Sequence, residues 1–183
     1  MRILGISGSL RRDSHNTRLL RGVGNLLPEG VELELFDQLA AIPPYNEDDE
    51  PQTPPAVAAL NAAIAGADAV LVATPEYNAS IPGVLKNALD WVSRPIQDTP
   101  LKGKPAAVIG ASTSLFGAVW AQAEARKVLS TIGARVVDRE LPLPQAEDAL
   151  GGDGLPLDPD ARELLEATLT ELIELAEPQR VAA

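Results

Sequence analysis

The chain has 183 residues, 45% of them hydrophobic, which is enough for one domain with a full core and argues against disorder. The net charge of -11 disfavours binding to nucleic acid or anionic lipid, and no apolar run approaches the ~20 residues that span a bilayer. The chain contains no cysteine and one histidine, which excludes disulfides, thiolate ligands and a multi-histidine metal site.

The amino-terminal sequence MRILGISGS is too short and too interrupted by Gly and Ser for a secretory signal. The acidic run over residues 47–50 is interpreted as a solvated loop, because nothing in the pattern fixes a metal-binding geometry. We therefore expect a cytoplasmic protein with one domain over residues 1–183, no bound metal, and no nucleic-acid or membrane partner.

Five short apolar runs predict strands. Three of them are apolar throughout, as expected of strands buried on both faces of a parallel sheet. The second run alternates apolar residues with Glu32 and Glu34, which is typical of an edge strand with one wet face. In chain order the predicted strands cover residues 3–6, 31–36, 69–73, 106–109 and 135–137.

Helical periodicity fills the segments between the strands. One apolar stripe covers residues 19–27, and Thr53 followed by Pro54 resembles an N-cap with proline at the first helical position. The remaining predicted helices cover residues 84–92, 117–129 and 161–176. The tail from Pro178 is expected to fray.

Strands and helices alternate along the whole chain, so we predict an α/β fold, a three-layer doubly wound parallel sheet of about five strands. In such sheets ligands bind beyond the carboxyl ends of the strands, where the strand order reverses. The loops that follow strands one, three and four are therefore the informative ones. They cover residues 7–15, 74–83 and 110–116.

The first loop, SGSLRRDSHN, carries groups that suit a phosphate monoester. Ser9 and Ser14 offer hydroxyls, Arg11 offers a guanidinium, and a helix begins near Asn16 with its positive dipole end. The dinucleotide and nucleoside-triphosphate fingerprints are both absent from the loop. The alternative is an ordinary Ser/Asn-capped helix, and His15 is interpreted as a loop residue and not as a catalyst.

The second loop is stiffened by Pro75 and Pro82, which prevent it from joining the sheet. Main-chain groups of Glu76, Tyr77 and Asn78 are expected to point into the crevice, where they suit the edge of a planar heterocycle. The Tyr77 ring is expected to lie against that heterocycle.

The alternative is that the second loop is a proline-rich corner in which Tyr77 and Trp91 fill the core. This alternative suits Trp91 better than Tyr77. The third loop, GASTSLFG, has small residues that permit close approach to a ligand. Hydroxyls at residues 112–114 are available there as hydrogen-bond donors.

Three motifs together resemble those of one family. They are GISGSLRRDSHN, then TPEYNASIPGVLKNALDW with SRP one residue later, and then the GAS loop with its downstream Gly, Ala-Gln and Arg. The chain is similar, from Arg2 to about Leu143, to the NADPH-dependent FMN reductases. That group of flavodoxin-like proteins includes bacterial quinone and chromate reductases and azoreductase-like enzymes. The resemblance implies a flavodoxin-like sheet of five parallel strands in the order 2-1-3-4-5.

The resemblance also implies roles for particular residues. The phosphate of FMN is assigned to Ser9, Arg11, Ser14 and Asn16, with Thr17 as an addition. The flavin ring is assigned to Pro75, Glu76, Tyr77, Asn78 and Ser112. No side-chain acid or base is required, because the flavin carries the chemistry. We therefore name no catalytic residue.

The activity implied by the resemblance is hydride transfer from NADPH or NADH to N5 of FMN. A quinone, free flavin or similar acceptor then takes the electrons at the same face, in a ping-pong order. An FMN-binding electron carrier of the flavodoxin type is the alternative, and a scaffold that has lost the cofactor is a third interpretation.

Family members form homodimers or homotetramers with the flavin near an interface, which implies an interface role for Tyr45, Trp91 and the neighbouring helix. The chain departs from the family pattern in its third loop, where Leu115, Phe116 and Trp120 replace the Gly-Gly and Arg of many relatives. These bulky residues are expected to narrow the nicotinamide or acceptor site, or to reshape the contact between subunits.

Overall fold

The computed structural model describes residues 1–177. Its strands are β1 (Arg2–Ser7), β2 (Glu32–Phe36), β3 (Ala69–Ala73), β4 (Pro105–Ile109) and β5 (Arg135–Val136). Its helices are α1 (His15–Val23), α2 (Pro55–Gly66), α3 (Gly83–Val92), α4 (Val119–Ile132), α5 (Ala146–Ala149) and α6 (Pro159–Ala176). Two 3₁₀ turns, Leu39–Ala41 and Glu47–Gln52, lie between β2 and α2.

The five strands form one parallel sheet in the order β2-β1-β3-β4-β5, which confirms the predicted fold. Strands β3 and β4 are buried on both faces, whereas the alternating residues of β2 leave one face at the edge of the sheet wet. In the register of the central strands, Ser7 lies opposite Ala73, and Ala73 lies opposite Ile109. Three strands therefore end at the same level, where their loops must meet.

Apolar residues cover both faces of the sheet and form two core clusters. On one face, α2, α3 and α4 pack against Leu4, Val70 and Val108. On the other face, α1 and α6 pack against Leu71 and Ile109. The alternation of side chains along each strand sends neighbouring residues to opposite clusters, which produces the three predicted layers.

The boundaries of several predicted helices needed correction, and the first helix already ends at Val23, within the predicted apolar stripe of residues 19–27. Helix α4 begins at Val119 and not at 117, because Gly117 and Ala118 adopt left-handed backbone conformations with φ of 61° and 62°. It continues three residues past Leu129, to the left-handed Gly133. Helix α2 begins at Pro55, one residue later than predicted.

The prediction of a fraying tail from Pro178 lies outside the described residues, and the prediction of one domain over residues 1–183 extends past them. Among residues 1–177, no helix is long and apolar enough to cross a membrane.

Trp91 belongs to the core, which the alternative interpretation of the second loop predicted. It is 2% exposed, and its indole nitrogen donates to the carbonyl of Pro43 at 2.8 Å. The ring of Tyr45 meets it edge-on at 5.1 Å between centroids. The interface role that the resemblance implied for Trp91 is therefore wrong, because the side chain has almost no surface to offer a partner.

Asn16 joins α1 to the end of β4. Its side chain is 2% exposed, its amide nitrogen donates to the carbonyl of Ala111, and its amide oxygen accepts from the N–H of Ala111, both at 2.9 Å. Ala111 lies in the third loop, two residues after the end of β4, so these two bonds fix the start of α1 against that loop. Buried main-chain groups must find partners, and here one side chain satisfies both.

Asn16→Ala is expected to lower the free energy of unfolding by about 2–4 kcal/mol, because it leaves two buried main-chain groups without partners. Urea unfolding monitored by circular dichroism measures the change. Asn25→Ala is the matched control at an exposed position, with an expected change below about 0.5 kcal/mol. Equal stability of the two variants would contradict the anchoring role of Asn16.

Candidate functional site

The loops after β1, β3 and β4 enclose a cavity of about 170 Å³. Of the ten residues predicted to bind the cofactor, all but Thr17 and Asn78 line this cavity: Ser9, Arg11, Ser14, Asn16, Pro75, Glu76, Tyr77 and Ser112. A larger hollow of about 310 Å³ lies between Glu50, Trp91 and Arg94, but it contains none of the predicted residues. The predicted residues are thus brought together at the predicted edge of the sheet.

One end of the cavity, where the sequence analysis expected a phosphate, is built at the start of α1. Ser14 is the N-cap of that helix, and its hydroxyl oxygen accepts from the N–H of Thr17 at 3.2 Å. A hydroxyl that accepts in this way still carries a proton to donate to a ligand. Arg11 is exposed, and its guanidinium donates to the carbonyl of Asp13 at 2.6 Å. The side chains therefore surround the positive end of the α1 dipole.

Two residues assigned to the phosphate have structural contacts of their own. The side-chain amide of Asn16 donates one hydrogen bond to Ala111 and accepts one from it, so it ties α1 to the third loop. Thr17 lies outside the cavity lining, and its hydroxyl shares a hydrogen bond of 2.8 Å with the hydroxyl of Ser7. Thr17 therefore ties α1 to the end of β1.

The second loop contains a tight turn that the sequence analysis missed. Tyr77 and Ser80 exchange two main-chain hydrogen bonds of 3.0 and 3.1 Å. Between them Asn78 and Ala79 both have positive φ, 54° and 58°, which is the geometry of a type I′ turn. The expectation that the main chain of Tyr77 points into the crevice is wrong, because both its groups pair with Ser80.

This turn leaves the Tyr77 side chain 53% exposed at the cavity. The N–H groups of Glu76 and Asn78 take no part in the two hydrogen bonds that join Tyr77 to Ser80. The turn had no clear signal in the sequence, since its central residues are Asn-Ala and not the usual Asn-Gly.

Glu76 holds the second loop against α4. Its carboxylate accepts from the N–H of Ala121 at 3.1 Å, in the first turn of that helix. The residue at the N-cap position is Ala118, which has no polar side chain to cap the helix, so Glu76 performs this role from another loop. Ser80, at the other end of the turn, donates to the carboxylate of Glu124 on α4. The loop is thus fixed to α4 at both ends.

The third loop combines a polar start with an apolar end. The N–H of Ser112 donates to the carbonyl of Leu143 at 3.0 Å, which fixes the loop, and Ser112 lines the cavity. Farther along, Leu115, Phe116 and Trp120 are 74%, 57% and 47% exposed. The rings of Phe116 and Trp120 lie 4.9 Å apart between centroids. We call these three residues the aromatic patch.

His15 also lines the cavity, although the sequence analysis gave it no role. It is the first residue of α1 and not a loop residue, so this expectation was wrong. Burial, then the positive charges of Arg11 and Arg18, hold the pKa of His15 below its usual value of 6.5, and Glu147 opposes them. Its proximity to the predicted Ser14 and Asn16 was the signal available in the sequence.

The residues present fit FMN. Hydroxyls, a guanidinium and a helix N-terminus at one end suit a phosphate, and an exposed aromatic ring with main-chain donors at the other suits a planar heterocycle. The three loops also approach closely: a Cβ on Gly110 would lie 2.7 Å from the carbonyl oxygen of Thr74. Within residues 1–177, no group of three or more carboxylate or histidine side chains is placed to hold a metal ion.

Comparison with known proteins agrees with this geometry. Residues 1–148 match the family model of the NADPH-dependent FMN reductases. The chain is 44% identical to an NAD(P)H-dependent FMN reductase of Pseudomonas aeruginosa over 174 residues, which is 94% of this chain and 93% of the relative. It is 34% identical to a 2-hydroxy-1,4-benzoquinone reductase of a Burkholderia species, with 99% of both chains covered.

A solved structure gives the same result. The fold matches FerB, a flavoenzyme NAD(P)H:(acceptor) oxidoreductase from Paracoccus denitrificans, with a TM-score of 0.83 and 34% identity. The match covers 96% of both chains. On the family model and these relatives together, the chain belongs to the NADPH-dependent FMN reductase family.

Proposed function

We propose that this protein is an NAD(P)H-dependent FMN reductase whose acceptor is a quinone, a free flavin or a similar small molecule. The observation that carries the proposal is the cavity at the strand ends, which gathers eight of the ten predicted cofactor residues. When bound there, FMN would supply hydride chemistry, taking a hydride from NADPH or NADH and passing electrons to the acceptor. The chain itself binds and orients the participants.

At the phosphate end, the hydroxyls of Ser9 and Ser14 and the guanidinium of Arg11 hydrogen-bond the phosphate oxygens. The N-terminus of α1 adds main-chain donors, including that of Asn16. A guanidinium binds a phosphate more strongly than a hydroxyl does, because the hydrogen bond joins two charged groups. Asn16 and Thr17 act mainly by fixing α1 against the strand ends.

At the ring end, Tyr77 packs its exposed side chain against the flavin. The main-chain N–H of Glu76 and the hydroxyl of Ser112 across the cavity hydrogen-bond the polar edge of the ring, and Pro75 stiffens the second loop. Asn78 lies outside the cavity lining and shapes the turn that presents Tyr77. The contact between Glu76 and Ala121 keeps the N–H of Glu76 in place before the ligand arrives. Preorganised donors lower the cost of binding and stabilise negative charge on the ring.

The activity is tested by mixing the protein with FMN, NADPH or NADH, and a quinone, and following nicotinamide absorbance. We expect rapid turnover with parallel double-reciprocal lines, because one open face serves both the nicotinamide and the acceptor in turn. Slow or absent oxidation with FMN still bound would support the flavodoxin-type carrier. A protein with no affinity for added FMN would support the scaffold.

Arg11→Ala is expected to weaken FMN binding by roughly 1.5–3 kcal/mol, more than tenfold in Kd, through loss of a charged hydrogen bond. Quenching of flavin fluorescence on titration measures the affinity. Arg12→Ala is the matched control, since Arg12 is exposed and lies outside the cavity lining while carrying the same charge. Equal Kd values for the two variants would remove Arg11 from the phosphate site.

The protein acts as a homodimer or homotetramer in this proposal. The aromatic patch supports an oligomer, because large exposed apolar side chains commonly mark the surface that contacts a partner subunit. Tyr45 is only partly buried and remains a proposed interface residue, unlike Trp91.

The double variant Phe116→Ser/Trp120→Ser is expected to shift the wild-type oligomer toward monomer in light scattering, because it removes the apolar contact area. Leu157→Ser is the control, since Leu157 is 66% exposed and lies outside the patch. A monomeric wild-type protein, or a double variant with unchanged mass, would contradict the role of the patch.

A further inference from the structure

The two ring nitrogens of His15 make no hydrogen bonds within the described part of the chain. Both ring nitrogens are withdrawn from solvent and find no hydrogen-bond partner among residues 1–177. Buried polar side chains almost always have a partner, so an exception indicates a group that the protein alone does not supply. His15 lines the cavity together with Ser9, Arg11 and Ser14, where the phosphate is proposed to bind. Because both nitrogens are closed off from solvent, the ring must turn toward the cavity before either nitrogen can reach a ligand there.

The charges around His15 are arranged for an anion. Arg11 approaches from the first loop and Arg18 from the next turn of α1, while Glu147 on α5 is the opposing charge. The positive end of the α1 dipole lies at the same place, since His15 is the first residue of the helix. In the free protein burial and then these charges hold the pKa of His15 below its usual value. A phosphate dianion would reverse the local field and favour the protonated ring.

We propose that His15 is an additional cofactor-binding residue, which takes up a proton from solvent when the FMN phosphate binds and donates a charged hydrogen bond to it. The proposal rests on the proposed function, because it requires FMN in this cavity. One ring nitrogen gains the proton, and the ring turns from its unpaired position so that the imidazolium faces a phosphate oxygen. The affinity for FMN is consequently linked to pH through His15, in the sense that protonation and binding favour each other.

The sign of the linkage follows from the direction of the pKa change. The pKa of His15 lies below 6.5 in the free protein and is raised when the phosphate is present. Between these two values the complex holds more protons than the free protein. Within that window, the contribution of His15 to FMN affinity therefore grows as the pH falls.

His15 is the only histidine in the chain, so its ring proton resonance can be followed by NMR in untagged wild-type protein. We expect a pKa below 6.5 without ligand and a rise of about one unit or more with saturating FMN. Riboflavin, which carries no phosphate, is the matched ligand and is expected to leave the pKa of His15 nearly unchanged. A pKa that is the same with and without FMN, or that riboflavin raises equally, would overturn the proposal.

A second measurement uses His15→Gln, which keeps a polar side chain of similar size and cannot titrate. Calorimetry of FMN binding at pH 6.5, in buffers with different ionisation enthalpies, counts the protons taken up. The wild-type protein is expected to take up more protons per FMN than the variant, and its affinity advantage is expected to widen by up to about tenfold between pH 8 and pH 6. Riboflavin is expected to bind both proteins alike.

The outcomes separate this proposal from the proposed function. If wild-type protein binds FMN and His15→Gln shows the same proton uptake, His15 is a packing residue and the FMN reductase proposal stands. If wild-type protein does not bind FMN at all, both proposals fail. The NMR titration needs no variant, so a folding defect in His15→Gln would not prevent the decision.

Discussion

The register of the three central strands is the constraint on which the rest of the structure depends. Ser7, Ala73 and Ile109 lie side by side, so β1, β3 and β4 end at one level. Because β3 and β4 are buried on both faces, the chain can present polar groups only after it leaves the sheet. Three separate stretches of sequence therefore deliver their polar residues to the same edge, and the cavity is a consequence of that meeting.

The polar residues at this edge serve the structure as well as the ligand. Ser14 caps α1, Asn16 satisfies both main-chain groups of Ala111, and Glu76 caps α4 from a neighbouring loop. Each contact joins the binding loops to a helix or strand of the scaffold. A site held in this way loses little freedom when a ligand enters, which makes its donors more effective than mobile ones.

The local charge of the site is opposite to that of the whole protein. The net charge is -11, yet Arg11, Arg18 and the positive end of α1 meet around His15 at one end of the cavity. Short-range hydrogen bonds and charges at a few ångströms outweigh a diffuse surface charge that salt screens. An acidic protein can thus present a positive site for a phosphate, and burial together with the two arginines holds the pKa of His15 below its usual value.

The sequence by itself determined the alternation of strands and helices, the three layers and the three loops of the site, because apolar runs and turn residues are local signals, whereas the strand order came from the resemblance to a known family. It also identified Ser9, Arg11 and Tyr77 as residues that meet in one cavity. Only the tertiary structure decided that Trp91 is core, that the main chain of Tyr77 closes a turn, and that Glu76 caps a distant helix. These contacts join residues far apart in the chain or depend on a positive φ at non-glycine residues. Neither feature produces a periodic pattern in the sequence.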